Sequence, residues 1–481
     1  MRKLTAKQID EGKKNITVAK FGGGVIGEHG QGIPLIVKRI RDLREIDGIG
    51  PVAVFSAPKG LTDRVIEMGK KCAKGNFPHE YKFLMGPYRR ILDKYVKDSF
   101  KNRFENELEE HFEEVRKALE RVYRNKEFEG GNRAIVLAYS GELSTATAMS
   151  YVLNSYGIAA CYVPFSEWPI ITDRNFESAT FLLEESEKKV HHLVKRIEEG
   201  KVVAIGGFVG STLSGRETTF ERGGSDRTAV DLGILLKDSY NVTVDFEKES
   251  VVMSADPNIK GIDKSELSKI RSLSYNETRL AGQYGMSIID SVAIRDIPPD
   301  LDLPLEVTDT STGEKTMIRR YIEDGDSNPI KIVTGRKDCA ILEVEQSKSG
   351  SLYDFLEGIK KYYEFTELRP YVKNDVRTAR ILFFDGNYVR EDLISDLMRI
   401  DENATIEYGL AAVTLIGDRM AEASGVVATA YGGIRERHPD LVILDGDIQR
   451  PTSSVLMIVK EDDRDRCVRA IHEKRKEMNK K

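Results

Sequence analysis

From Ile16 to about Leu235 short apolar runs alternate with helix-like patterns, and that alternation predicts a mainly parallel sheet covered by helices. Ile16–Ala19, Val52–Phe55, Ala134–Ala138, Ile158–Val163, Val202–Ile205 and Val242–Val244 read as its strands. Between the second and third of these, Phe104, Leu108, Phe112, Val115, Leu119 and Val122 recur at spacings of three and four within a charged segment, the mark of one long amphipathic helix. Such a stripe packs on its own domain more often than on a partner. A proline-rich turn at Ile297–Pro304 precedes a last strand or two, and the pattern changes at Asn328–Pro329. Beyond that point two stretches each offer the order strand, helix, strand, strand, helix. The second is the clearer: Ala411–Ile416, Leu441–Leu444 and Val455–Val459 as strands, with helices at Gly425–Arg435 and Asp465–Lys474. The expected organisation is one large α/β domain over 1–328 and two small α+β modules over 329–406 and 407–481, side by side as in an internal duplication.

The length of 481 residues agrees with such a division, because single cores stop growing near about 250–300 residues. Hydrophobic residues at 40% and charged residues at 31% describe a chain that folds. Lys plus Arg total 73 against 78 for Asp plus Glu; the net charge of -5 gives no general attraction to nucleic acid or to an anionic membrane. Cys72, Cys161, Cys339 and Cys467 lie far apart and form no CxxC pair, so reduced thiols are expected rather than a zinc ribbon or a disulfide framework. No run approaches the roughly 18 apolar residues of a membrane span, and the polar stretch Met1 to Lys14 does not resemble a signal peptide. A cytoplasmic location is the expectation.

Candidate chemistry gathers where strands end. Lys20-Phe21-Gly22-Gly23-Gly24 joins a cation to glycines that let backbone N–H groups approach an anion, a pattern fitting a phosphate site or a plain tight turn. Gly206-Gly207-Phe208-Val209-Gly210 follows a second strand. Glu221-Arg222-Gly223-Gly224-Ser225-Asp226 runs into a helix, where free N–H groups bind anions, Arg222 suits a carboxylate, and Ser225 or Asp226 serves equally as an N-cap. Ser140-Gly141-Glu142 and Ser56-Ala57-Pro58-Lys59-Gly60-Leu61-Thr62 complete four loops at carboxyl ends of strands, where open α/β sheets place ligands. His29 lies near the first loop, within reach of a phosphate there, although an isolated histidine more often packs or faces solvent, and the adjacent His191 and His192 have no metal-ligand spacing.

Lys20–Gly23, Ser56–Thr62, Ser140–Glu142, Gly207–Gly210 and above all Thr218-Thr219-Phe220-Glu221-Arg222-Gly223-Gly224-Ser225-Asp226 together resemble the aspartokinase family, in order and separation, over nearly the whole chain. The resemblance implies an amino-acid-kinase fold, a mainly parallel sheet sandwiched by helices, followed by two ferredoxin-like ACT modules. It also implies that ATP and L-aspartate give ADP and 4-phospho-L-aspartate, with Mg2+ bridging the phosphates. Lys20 and Asp226 would be catalytic. Ser56, Thr62, Glu142, Phe208, Arg222 and Ser225 would bind aspartate. Gly22, Gly23, Gly24, Gly223, Gly224, Val244, Asp245, Asp256 and Ser287 would line the ATP site. In the second module Gly417, Asp418, Ser424, Gly425 and Val426 would contact a lysine or threonine effector, and the paired modules would support a homodimer or higher homo-oligomer.

The chain departs from that pattern in places. Gly24 and Val25 stand where the family has threonine and serine, and Val244-Asp245-Phe246-Glu247-Lys248-Glu249-Ser250 replaces its nucleotide loop before Asp256-Pro257. Ser287 stands for a family lysine, and Asp290-Ser291 for a histidine-proline pair. Ser347–Ser351 replaces the first module's proline-glycine turn. A kinase for another amino or carboxylic acid, and a catalytically weak amino-acid-sensing homologue, are the competing readings.

Overall fold

The apolar runs of the first half become strands because they are buried on both faces, as a parallel sheet covered by helices requires. The computed structural model describes residues 12–221, 223–322, 328–345, 347, 349–359, 364–373, 375–384, 394–448 and 453–480. They form two compact units, Met1–Val251 with Val292–Arg320, and Val252–Ser291 with Tyr321–Lys481. In chain order the first unit carries β1 (Asn15–Phe21), β2 (Val52–Phe55), β3 (Ala160–Tyr162), β4 (Ile171–Thr172), β5 (Val202–Gly206), β6 (Val209–Thr212), β7 (Glu217–Thr219) and β8 (Asn241–Lys248). Strand β9 (Ser272–Ser274) lies in the second unit, and β10 (Leu305–Asp309) and β11 (Lys315–Arg319) return to the first.

Within the first unit the main sheet runs β3-β5-β2-β1-β8-β10-β11, all neighbours parallel except β10 with β11. Strands β4, β6 and β7 make a small second sheet. In the parallel ladder Lys20 pairs with Phe246 and Ala19 with Asp245. Because side chains alternate along a strand, Lys20, Phe246 and Lys248 share one face of the sheet and Asp245 and Glu247 the other. The helix Gly224–Leu236 covers the first face and the helix Ile33–Asp47 the second, as the partners of Lys20 and of Asp245 show.

The expected amphipathic helix spans Asp98–Asn125, and Phe104, Leu108, Phe112, Val115, Leu119 and Val122 are all buried. They belong to the same core as Phe21, Phe55 and Ile40, so the stripe packs on its own domain. One expected strand is corrected: Ala134–Ala138 lies inside a helix, Gly130–Ser140. A short apolar run carries too little periodicity to separate a buried strand from a buried helix turn. Here Ala134, Leu137 and Ala138 turn inward at helical spacing, Ile135 and Tyr139 are half-buried, and the chain breaks at Gly141 before a second buried helix, Glu142–Ser155.

In the second unit β12 (Ile332–Glu345), β13 (Phe365–Lys373), β14 (Val376–Phe383), β15 (Thr405–Ile416), β16 (Asp445–Ile448) and β17 (Ser454–Lys460) form one antiparallel sheet in the order β13-β14-β12-β15-β17-β16. The order strand, helix, strand, strand, helix is followed twice, with helices Ser349–Ile359 and Ile394–Ile400, then Val426–Arg437 and Arg464–Arg475. Strands β12 and β15 join the two halves through a long antiparallel ladder, whose register shifts between Arg336 and Cys339 and again between Cys339 and Ile341. The expected strand Leu441–Leu444 shifts to Asp445–Ile448, since the pairing with β17 begins at Asp445 opposite Ile458. Asp447 there meets Arg369 at 3.0 Å, so polar residues supply contacts that the apolar run had suggested. The segment Val252–Ser291 is bound into this unit. Val333 N–H donates to the Ser254 carbonyl at 3.0 Å, and Ser254 Oγ lies 2.8 Å from His472 Nε2, a ring whose burial pushes its pKa down to about 3.

Candidate active site

Lys20 ends the buried run of β1, where the chain leaves the sheet through Gly22 and Gly23 into a short helical turn. Asp226 lies in the first turn of the helix Gly224–Leu236, opened by Gly223 in a left-handed conformation at φ 93°. The two meet at 2.8 Å, with side chains 13% and 10% exposed, a cation and an acid partly shielded from water. The turns close tightly around them. A Cβ on Gly23 would come 2.7 Å from the Ala57 carbonyl oxygen, and one on Gly207 would come 2.5 Å from Ser225 Cβ, so only glycine lets these loops touch. The Ser56 N–H donates to the Phe21 carbonyl at 3.1 Å, and the Gly207 N–H to the Phe55 carbonyl at 2.9 Å, fastening three strand ends to one another.

Glu142 opens the helix Glu142–Ser155 and is buried, its carboxylate accepting from the Ala57 N–H at 3.3 Å. Burial raises its pKa to about 7, while the Ala57 N–H and the positive charge of Lys20 pull the other way. Its carboxylate therefore shares the electrostatic surroundings of Lys20. Ser225 is buried beside Asp226, and Thr62 and Ser56 are half-buried on the neighbouring loop and helix start. Phe208 holds a left-handed backbone at φ 67°, strained for a bulky residue and kept in place by its N–H to Thr228 Oγ1 at 3.0 Å and its carbonyl to the Phe220 N–H at 2.9 Å. Arg222 lies outside the described residues.

A cation, two acids and glycine turns assembled from three strand ends and two helix starts are what a phosphoryl-transfer pocket needs, since that chemistry rests on positioning and charge stabilisation. The pattern of the Amino acid kinase family matches residues 15–295. The chain belongs to the amino acid kinase family. Among relatives, an aspartokinase of Helicobacter pylori (strain ATCC 700392 / 26695) is 26% identical over 274 residues, covering 57% of this chain and 52% of that protein. The chain thus spans about half the length of that relative. Among solved structures, E. coli aspartokinase III in complex with aspartate and ADP (R-state) superposes with a TM-score of 0.76 at 20% identity, over 96% of this chain and 99% of that one. The same enzyme in complex with lysine and aspartate (T-state) gives 0.68 at 19% identity, over 95% and 98%. The fold is therefore that of aspartokinases, including the C-terminal α+β modules.

Other expected residues of this amino acid kinase family member are placed differently. Val244 and Asp245, expected beside ATP, are wholly buried in β8, and Asp245 points to the sheet face opposite Lys20. There it takes hydrogen bonds from Arg39 Nη2 at 2.9 Å and Thr308 Oγ1 at 2.6 Å, while Glu247 accepts from Arg39 Nε at 2.5 Å. The Asp245 carboxylate is engaged there rather than at the glycine turn. Arg39 went unnoticed in the sequence, although a charged residue three after Ile36 and one before Ile40 on an apolar helix stripe was the available signal. Gly24, half a turn beyond Gly22, is exposed, and a Cβ there would meet Glu249 Oε1 at 3.1 Å. Lys248, read in the sequence only as part of a substituted nucleotide loop, ends β8.

Asp256 and Ser287 belong to the second unit, Ser287 exposed and Asp256 accepting from the Asn258 N–H at 2.8 Å. The expected effector residues are also there. Gly425, at φ 82°, opens the helix Val426–Arg437, with Ser424 exposed before it. Asp418 follows Gly417 after β15, and its N–H donates to Glu277 Oε1 at 2.8 Å. Glu277 is fully buried, caps its helix with Ser274, and takes a hydrogen bond from Lys331 at 2.8 Å. Among the described residues no three His, Cys, Asp or Glu side chains converge as a metal cluster, and no helix is long and apolar enough to cross a membrane.

Proposed function

We propose that the protein transfers the γ-phosphoryl group of ATP to the side-chain carboxylate of L-aspartate. The bond from γ-phosphorus to the bridging oxygen of ADP breaks as a bond to a carboxylate oxygen forms, giving ADP and 4-phospho-L-aspartate. The observation that carries this reading is the Lys20–Asp226 pair, 2.8 Å apart at the meeting of the glycine turns. Lys20 neutralises charge on the phosphoryl group in flight, and Asp226 holds the Lys20 ammonium in its orientation. Glu142 receives the ammonium of aspartate, and Ser56, Thr62, Ser225 and Arg222 supply polar contacts to the acceptor. The backbone of Phe208, with its strained geometry, shapes that pocket rather than offering a spare N–H, since Thr228 already accepts it. Mg2+ on the phosphates would neutralise part of their charge. The aspartate and ADP named with the E. coli structure support this pair of ligands.

Feedback by an amino acid at the second unit, a homodimer and a cytoplasmic setting belong to the same reading, and the lysine named with the T-state structure supports the effector class. The test is to trap acyl phosphate with hydroxylamine, supplying ATP, Mg2+ and a panel of amino and carboxylic acids, with Lys20→Ala alongside. Aspartate-dependent hydroxamate that disappears in the variant is the expected result. Product with another acceptor alone would redirect the assignment, and no product with any acceptor would leave an amino-acid-binding homologue.

A further inference from the structure

We propose that Lys248 is a second cation of the polyphosphate pocket, gripping the nucleotide phosphates together with Lys20; the proposal rests on the kinase reading above. Three observations on separate elements lead to it. The register of β8 against β1 sets Lys248 on the face of the sheet that carries Lys20, two residues past the partner of Lys20. The strand end is anchored, because the Lys248 carbonyl accepts from both the N–H and the hydroxyl of Thr310, at 2.9 and 3.0 Å, so the residue leaves the sheet in a set direction. Asp226 and Lys20 both act on the Lys248 ammonium, the acid stabilising its charge and the lysine opposing it, while withdrawal from water lowers its pKa. That influence agrees with the register, which sets Lys248 on the Lys20 face of the sheet.

Charge arithmetic gives this placement a purpose. Lys20 and Asp226 together are neutral, and an acid beside a triphosphate repels it. A second lysine offsets the acid beside the place where a polyanion must sit. The adjacent Glu249 carboxylate lies against Gly24, so without Lys248 the acids around Lys20 would outnumber the cations.

The test compares wild type, Lys248→Met and Lys248→Arg for binding of ATP, ADP, inorganic tripolyphosphate and adenosine by calorimetry, with melting temperature measured on each. Lys248→Met should weaken ATP and tripolyphosphate roughly tenfold or more. Adenosine binding and the melting temperature should stay unchanged, and Lys248→Arg should recover most of the loss. Unchanged ATP affinity in Lys248→Met would overturn the proposal. So would equal losses for adenosine and ATP together with a lowered melting temperature, the signature of a structural lysine. Because these readouts need no turnover, a wild-type protein that binds ATP but makes no aspartyl phosphate refutes the kinase reading while leaving the role of Lys248 to be decided. A wild-type protein that binds none of the four ligands refutes both.

Discussion

The two faces of β1 and β8 hold two charge clusters of similar make-up and opposite character. On one face Arg39, 8% exposed, lies between Asp245 and Glu247, both wholly buried, and ties one carboxylate oxygen of each. On the other face Lys20 and Asp226 meet beside the glycine turns with 13% and 10% exposure, and the register of β8 sets Lys248 on the same side. Deep burial around one shared arginine makes the first cluster a tie between helix and sheet. Partial exposure and close-packed glycine turns suit the second to the anion proposed above. Residue types alone do not separate structural from functional charge; solvent access and the balance of partners do.

Four substitutions would break or sharpen that contrast. Lys20→Met should reduce kcat by about a hundredfold to a thousandfold, the scale of losing one preorganised charge stabiliser, with the melting temperature preserved. Steady-state hydroxamate assays and calorimetric melts read the two halves. Arg39→Met should do the reverse, costing about 3–5 kcal/mol of stability because two acids lose their counter-charge in the interior. That loss should be greater at pH 8 than at pH 6. Burial already raises the Glu247 pKa to about 7, so below that pH the acid is neutral and costs little, and above it folding must bury an unanswered charge. Urea denaturation at the two pH values measures it.

Glu142→Gln should raise the KM for aspartate about tenfold to a hundredfold while leaving ATP affinity alone. The sign of the pH dependence follows from its pKa of about 7: the free protein holds Glu142 protonated below that value, and the acceptor's ammonium needs the carboxylate. Wild-type aspartate affinity should therefore fall by up to about tenfold per pH unit on going down from pH 7, and the variant should lose that slope. The smallest effect is expected for Thr228→Val, which removes the acceptor for the Phe208 N–H and should cost about 1–3 kcal/mol in thermal stability with a modest rise in the aspartate KM.

Much of the fold was readable from spacing. The stripe from Phe104 to Val122 had only one explanation as a helix face, and the runs at Val52–Phe55 and Val202–Ile205 were apolar, short and bounded by turn residues. Ala134–Ala138 was misleading because five apolar residues carry too few periods to choose, and the decision belonged to the packing of the helix that follows Gly141. Lys20 and Asp226, far apart in the chain, could be paired from motif order, since both sit where strands or glycines present them to one end of the sheet. Asp245 could not be placed in that way. Its neighbours in sequence pointed to a nucleotide loop, yet the alternation of β8 turned it to Arg39. Lys248 was hidden for the complementary reason: in a run of charges nothing local says which one faces inward.

The ladder joining β12 to β15 bears on any attempt to dissect the C-terminal region. Each half would leave a long row of backbone donors and acceptors bare if expressed without the other, an invitation to strand-to-strand aggregation. The practical unit for ligand titration is consequently the intact pair with its Val252–Ser291 segment. Swapping one half for a homologous piece would have to preserve the hydrogen-bond register of that seam before any change in effector choice could be interpreted.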